Sequence, residues 1–579
     1  MTPLGRVILV RGSLARVGLL PNDKMGTSDM RATVGRFISI RCANSLLVAM
    51  ITEVSCEELP SSGIYIATAS VDLLGEIHGS ADQQKFRRGV TNYPSIGDAV
   101  ELINSQELRT IYAPSGSDQI NIGTLQQDPS VIAYVDIEEM LSKHFAVLGS
   151  TGVGKSTGVS LLLNEILKSR PALRIFLLDV HNEYGRCFGD RSLVLNPRNL
   201  KLPFWLFNFE EIVDVLFAGR PGVPDELDIL AEVIPVAKSI YTQYQNTDRG
   251  LKRGDPKAVG YTLDTPVPYR LVDLISLIDE RMGKLENRSS RIIYHKLISR
   301  IETVRNDPRY AFMFDNANVG GDTMADVISH LFRLPSQGRP MTVMQLAGFP
   351  AEVIDSVVSV LCRMAFDFGL WSDGVSPMLF VCEEAHRYAS ADRNVGFGPT
   401  RKAVSRIAKE GRKYGVYLGL ITQRPAELDA TIISQCNTLF TMRLANERDQ
   451  ALLRSAVSDA AANLLSFVPS LGTREVLAFG EGVALPTRLR FKEVPAHQLP
   501  RGEAAISTVP SATAGHDMHF VSAVLERWRG ATSNRDAPSD AGFNDRTATR
   551  PVGPVEAPML QPSMGLDPDR FSLLKKPLR

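Results

Sequence analysis

One stretch constrains the fold more than any other: Phe145-Ala146-Val147-Leu148-Gly149-Ser150-Thr151-Gly152-Val153-Gly154-Lys155-Ser156-Thr157, an apolar run that enters a G-x-x-x-x-G-K-S loop. The glycines let backbone N–H groups converge on phosphate, Lys155 can reach β- and γ-phosphates, and the Ser156 hydroxyl can ligate Mg²⁺. Val159, Leu162, Leu163, Ile166 and Leu167 then recur at helical spacing until Pro171, so the loop opens onto the positive end of a helix dipole. Gly149 to Thr157 are therefore the candidate nucleotide-binding residues, with ATP and Mg²⁺ as the expected ligands.

Such a loop needs acidic help from a neighbouring strand. Met378-Leu379-Phe380-Val381-Cys382-Glu383-Glu384 supplies five apolar residues followed by two carboxylates. Glu383 is read as holding the Mg²⁺ shell, and Glu384 as the base that polarises the attacking water. A third strand, Val416–Thr422, ends in Gln423-Arg424-Pro425, and an amide there can donate to a phosphate oxygen and accept from water. Asp179-Val180-His181-Asn182-Glu183-Tyr184 follows a further strand, Arg174–Val180, with His181 given only a structural or switch role. Four strands thus aim polar groups at one sheet edge, where open α/β sheets bind ligands. Arg401–Lys413 reads as a basic helix ended by Gly411, which leaves Arg412 projecting towards a neighbour's nucleotide as a catalytic arginine. Arg443, on an expected strand Thr438–Leu444, is a second candidate for that role.

At 579 residues the chain has room for several domains, and 64 basic against 64 acidic residues give no global charge that points to nucleic acid. Residues 1–120 read as a small β-barrel, with strands expected at Gly5–Val10, Gly35–Arg41, Ser45–Val54, Gly63–Val71, Ala99–Ile103 and Thr110–Ala113. Residues 121–504 alternate strands and helices, the pattern of an α/β core with a parallel-rich sheet. A helical insertion over about 205–340 carries apolar spacing at Phe209–Phe217, Leu227–Tyr244, Tyr269–Lys284 and Arg291–Arg305. Residues 505–579 contain an amphipathic segment, Phe520 to Trp528, then a Ser/Pro/Asp/Gly-rich stretch expected to be disordered, and end in the apolar and basic motif Arg570–Leu578, expected to dock on a neighbouring subunit. Six scattered cysteines read as buried reduced thiols, and no stretch approaches the roughly 20 apolar residues of a membrane span, so the expected location is cytoplasmic.

The combination resembles the HerA family of the FtsK–HerA superfamily of P-loop ATPases, prokaryotic DNA translocases. The resemblance rests on His144–Gly152 before Lys155, on Asp179–Tyr184, on Glu383-Glu384-Ala385-His386-Arg387, on Lys409-Glu410-Gly411-Arg412-Lys413-Tyr414-Gly415, and on Gln423-Arg424-Pro425 with Ser434-Gln435-Cys436-Asn437. It spans roughly residues 1–500 and implies a RecA-like core behind a barrel of the kind shared with rotary ATP synthase subunits. Val180 and Asn182 replace the Pro and Gly of the family's D-P-H-G-E-Y motif, so that loop is expected to be set differently. Lys143 stands where relatives often carry arginine, which places more of any trans role on Arg412.

The resemblance implies a bacterial homohexameric ring that hydrolyses ATP and threads double-stranded DNA through its central pore. Its implied partner, docked on the barrel ring, is a NurA-like nuclease or, in antiviral defence, a nuclease or a sirtuin-like NAD-consuming effector. DNA contacts are expected from the loop Ala389–Thr400 and from Arg401, Lys402 and Arg406. The competing reading is an ATP-dependent scaffold that assembles and activates a bound effector, with translocation incidental. A transporter ATPase is excluded by the absence of an L-S-G-G-Q-like signature before the acidic strand.

Overall fold

The computed structural model describes residues 3–20, 31–42, 45–58, 65–79, 84–114, 116, 118–248, 260–284, 288–315, 317, 321–393, 395–457, 463–501, 521–522 and 525. The Arg570–Leu578 motif and most of the expected Phe520–Trp528 helix lie outside them.

Short β-rich segments with period-2 burial build the first sheet. Six antiparallel strands run round a closed barrel in the order Leu14–Leu19, Gly5–Arg11, Ala99–Leu102, Phe37–Arg41, Leu46–Glu58 and Tyr65–His78, and the last pairs back onto the first. Lys85–Arg88 extends this sheet as a flap on Tyr65–His78. Val7, Val17, Ile40, Leu47, Ala49, Val71 and Val100 fill the interior. The strand expected at Thr110–Ala113 is instead the end of a helix, Ser105–Ile111. Asn104 accepts from the Glu107 N–H and the Glu107 carboxylate accepts from the Asn104 N–H, a reciprocal cap that starts a helix whatever the β-propensity of the next residues.

The second sheet has eleven strands. Ser192–Leu195, Met341–Gln345, Arg174–Asp179, Met378–Cys382, Val416–Thr422, His144–Leu148 and Cys436–Thr441 are parallel neighbours in that order. Glu475–Phe479, Thr487–Phe491, Gln119–Leu125 and Ile132–Asp136 continue it antiparallel. Every residue of His144–Leu148 and Met378–Cys382 is buried, as expected for parallel strands covered on both faces. Because the strands are parallel, the carboxyl ends of His144–Leu148, Arg174–Asp179, Met378–Cys382 and Val416–Thr422 share one edge.

The insertion is helical at Phe209–Leu216, Pro224–Asp248, Leu271–Gly283, Arg288–Asn306 and Met324–Phe332, but it is interrupted. Ser192–Leu195 and Met341–Gln345, both missed in the sequence, return to pair in the core sheet. The insertion is anchored by Glu211, fully buried, which accepts from Arg363 (2.8 Å) and Ser359 (2.8 Å) on the core helix Ile354–Trp371.

The barrel is pinned to the core sheet by Arg88, whose guanidinium donates to the carbonyls of Gly480, Val483 and Ala484, each at 2.8 Å. Charge-assisted bonds of this kind contribute about 1.5–3 kcal/mol each when dry and less at an exposed site. Arg88→Ala is expected to lower the unfolding free energy by about 1–3 kcal/mol and to raise amide exchange at the 480–484 turn, measured by hydrogen–deuterium exchange.

All six cysteines are free. Cys187, Cys362, Cys382 and Cys436 are buried as expected, whereas Cys42 is half-buried and Cys56 exposed. Among the described residues no helix is long and apolar enough to cross a membrane.

Candidate active site

The Gly149–Thr157 loop joins His144–Leu148 to the helix Lys155–Ser169. Gly154 sits at the helix N-cap with φ 95°, a left-handed backbone that other residues adopt only with strain, and no side chain caps the helix. The first-turn N–H groups are thus left facing outward, and the space above Gly152 is open. Neighbouring strand ends brace the loop: Gly149 N–H donates to the Thr422 carbonyl (3.3 Å), and the Ser150 N–H and hydroxyl both donate to the Arg443 carbonyl (3.0 Å each). Val153 C=O accepts from the Arg474 N–H (3.0 Å). Ser156 lies by the buried Tyr184 hydroxyl, and Ser156 and Thr157 are half-buried in the first turn.

Lys155 is 8% exposed, and its ammonium lies 3.7 Å from Glu384 Oε1. Burial holds the lysine below its ordinary pKa while Glu384 and Glu383 pull it back. Glu384 has a left-handed backbone (φ 49°, ψ 47°), which turns its carboxylate back over the loop. His181, given only a structural or switch role from sequence, also reaches Glu384 Oε1 at 3.7 Å. Glu383 is buried and its Oε2 accepts from the Val180 N–H (3.0 Å). Burial first, and then the adjacent Asp179, push Glu383 up to about 8; burial likewise pushes Asp179 to about 6.

Asp179 accepts from the N–H groups of Glu183 and Tyr184 (3.0 Å each), which shapes the loop after that strand. Asn182 stands at a glycine position of the family motif and takes φ 55°. Asparagine adopts this region more readily than other non-glycine residues, so the loop keeps a glycine-like turn. Lys143, at the family's arginine position, pairs with Glu481 of the same chain (3.2 Å).

Gln423 reaches the loop, its Oε1 accepting from the Thr151 hydroxyl at 2.7 Å. Arg443 is exposed and lies beyond its strand, which ends at Thr441 rather than Leu444; its carbonyl is what holds Ser150. Arg412 is not at this edge. It precedes Val416–Thr422, whereas the site follows that strand, a separation of roughly 23 Å at about 3.3 Å per residue. Gly411 does not end the basic helix by a left-handed turn. The helix Gly398–Glu410 passes through Gly411 (φ −53°) into a 3₁₀ turn, and Gly415 (φ 70°) supplies the stop. Gly411 is small because a Cβ there would lie 2.4 Å from the Val416 carbonyl oxygen.

Residues 120–365 match the family described as helicase HerA, central domain. The DNA double-strand break repair helicase HerA of Pyrococcus furiosus is 25% identical over 497 residues, covering 79% of this chain and 82% of that protein. Its counterpart in Sulfolobus acidocaldarius is 24% identical and covers 77% and 81%. The chain is thus similar to HerA helicases over about four fifths of its length. Among solved structures, VirB4 of Thermoanaerobacter pseudethanolicus is similar to this chain at 15% identity with a TM-score of 0.40, covering 65% of this chain and 97% of VirB4.

The residues fit a magnesium nucleotide. An open, uncapped helix start and a buried lysine suit phosphate, and hard carboxylate and hydroxyl oxygens suit Mg²⁺, which protein sites hold through one or two ligands plus phosphate oxygens. Accordingly, among the described residues no cluster of three or more His, Cys, Asp or Glu forms a self-sufficient metal cage. Ser156 and Glu383 would hold the ion, and a bound cation would return Glu383 to its ionised form.

His144, at the start of the loop strand, is buried with both ring nitrogens committed: Nε2 lies 2.9 Å from the Ala408 carbonyl and Nδ1 faces the Leu418 N–H at 3.0 Å. The ring is therefore neutral, and burial holds its pKa below 6.5. A depressed folded-state pKa contributes stability above pH 6.5 that is lost as pH falls from there through the folded value. The melting temperature is expected to drop below pH 6.5, and less steeply in His144→Asn, measured by scanning calorimetry.

Proposed function

We propose that this chain is the ATP-hydrolysing subunit of a ring-shaped motor, a homohexamer, that moves along double-stranded DNA. The observation that carries the reading is the convergence of Lys155, Glu384 and Gln423 on one loop, a lysine for phosphate, a buried base and an amide sensor. A scaffold that only bound nucleotide would have no use for a strained, buried Glu384. The names of the Pyrococcus and Sulfolobus relatives, repair helicases for double-strand breaks, support work on DNA ends.

Arg412, on the opposite sheet edge from its own nucleotide site, is exposed and available to an adjacent subunit. Arg412→Ala and Glu384→Gln subunits, each nearly inactive alone, are expected to recover part of the ATPase activity when co-assembled, because some interfaces then pair an intact Arg412 with an intact Glu384. Mixed rings of verified hexamers without any recovery would remove the trans role.

The loop after the carboxylate strand is stitched to the sensor strand's continuation: Ala391 N–H donates to the Glu427 carbonyl and Asp429 N–H to the Ala389 carbonyl, both at 2.8 Å. Changes at the nucleotide edge thereby reach the loop proposed to touch DNA. Arg406 is held on two sides, stacked 4.0 Å over Phe366 and paired with Asp367 (3.3 Å), whereas Lys402 meets only the exposed Glu210 (3.6 Å) and Arg401 only the Asp392 carbonyl (3.5 Å), so Arg401 and Lys402 are the pair to test for DNA contact. Neutralising both is expected to reduce the slope of log K against log salt by roughly 0.9 per lost contact, measured by fluorescence titration with duplex DNA. An unchanged slope places the DNA path elsewhere.

A nuclease or another defence or repair effector would dock on the barrel. Its outer surface carries Ile8, Leu9, Leu14 and Ile66, each more than 40% exposed. Co-purification of a barrel variant with these four residues changed to serine, against the parent chain, tests that surface.

A further inference from the structure

The base proposed above has two carboxylate oxygens in different surroundings. Glu384 Oε1 faces the Lys155 and His181 side chains. Oε2 is buried and accepts no hydrogen bond, and His386 Nδ1 lies 3.3 Å from it. The same Nδ1 lies 3.0 Å from the Thr422 hydroxyl. Thr422 is itself a junction: its Oγ1 accepts from the Arg424 N–H (3.0 Å) and its carbonyl from the Gly149 N–H (3.3 Å). Its successor Gln423 is bonded to Thr151. One imidazole therefore stands between the base and the strand end that touches both the phosphate loop and the sensor amide.

We propose that His386 is a positioning residue: it holds Glu384 through Oε2 and ties the base's orientation to the end of strand Val416–Thr422. A left-handed backbone at a non-glycine residue costs on the order of 1–2 kcal/mol and persists only where its surroundings over-determine it. His386, two residues on and turned back by the 3₁₀ turn Ala385–Arg387, is placed to supply that constraint. A shift of Thr422 along its strand changes which of two acceptors, Thr422 Oγ1 or Glu384 Oε2, the ring nitrogen serves. The base is thereby released or aimed according to the position of Gln423.

This inference rests on Glu384 being the base, and the test separates the two. His386→Ala, His386→Asn, Thr422→Val and Glu384→Gln are prepared in the full chain. For each, kcat and KM for ATP are measured, with affinity for a fluorescent methylanthraniloyl-ATP and the melting temperature measured separately. His386→Ala is expected to lower kcat by about tenfold or more with nucleotide affinity within about twofold of the parent. His386→Asn, whose amide reaches the position of Nδ1, should recover most of that loss. Thr422→Val should shift kcat in the same direction, and His386→Ala combined with Glu384→Gln should be no slower than Glu384→Gln alone. Near-normal kcat in His386→Ala beside a dead Glu384→Gln overturns the positioning role. A joint loss of affinity and melting temperature without rescue by asparagine overturns it too, by making the residue structural. Near-normal turnover in Glu384→Gln instead overturns the assignment of the base.

Discussion

Glu384→Gln is expected to lower ATP turnover by about 10² or more while nucleotide binding survives. The amide keeps the volume and most contacts of the carboxylate but cannot take a proton from water. The pocket around it supports that reading. Glu384 is buried, its left-handed backbone aims it at the phosphate loop, and Lys155 faces it at 3.7 Å. Lys155→Ala should behave differently, because it removes a phosphate contact and leaves Glu384 without its nearest cation; nucleotide affinity itself should fall. Steady-state ATPase assays with equilibrium binding of a fluorescent nucleotide distinguish the two, and normal turnover in purified Glu384→Gln would take Glu384 out of the mechanism.

Arg363→Ala is expected to be among the most destabilising single substitutions in the chain, at about 3–5 kcal/mol. Glu211 is fully inaccessible, yet it caps its own helix through the Asn208 N–H (2.9 Å) and accepts from Ser359 and twice from Arg363. Removing the arginine strands a buried carboxylate with nothing of opposite charge in contact. Because Arg363 lies on the helix that leads into Met378–Cys382, the loss should loosen both the attachment of the insertion and the strand that carries Glu383 and Glu384. Replacing both members by Glu211→Gln and Arg363→Met should restore much of the stability, since no isolated charge remains. Chemical denaturation of the parent and the two variants measures this directly.

The residues proposed for the nucleotide edge were legible in the sequence by itself. They form short contiguous words: Gly149 to Thr157, Glu383-Glu384, and Gln423 after an apolar run. Each is dictated by local backbone needs or by strand-end placement, so no distant contact had to be known. The four long helices of the insertion were legible for the same reason, since their apolar faces repeat over many residues. The two strands on either side of the insertion, Ser192–Leu195 and Met341–Gln345, were not. Met341–Gln345 follows directly on the span read as helical and was not read as a strand; its pairing between Ser192–Leu195 and Arg174–Asp179 makes it one. At Thr110–Ala113 a side-chain cap at Asn104, six residues upstream, outweighed β-propensity.

Only the tertiary structure decided which distant side chains meet. Nothing in the spacing of His386, Thr422 and Glu384 announces that His386 Nδ1 lies 3.0 Å from one and 3.3 Å from the other, because two parallel strands from different parts of the chain bring them together. It also decided that Arg412 sits about one strand length from its own site, that Arg406 is occupied by Phe366 and Asp367, and that Glu211 is a buried anchor rather than a solvated helix charge. Local patterns specify what a residue is able to do. Close packing of segments far apart in the chain, where an unpaired charge is costly and a paired one is held in place, specifies what it is positioned to do.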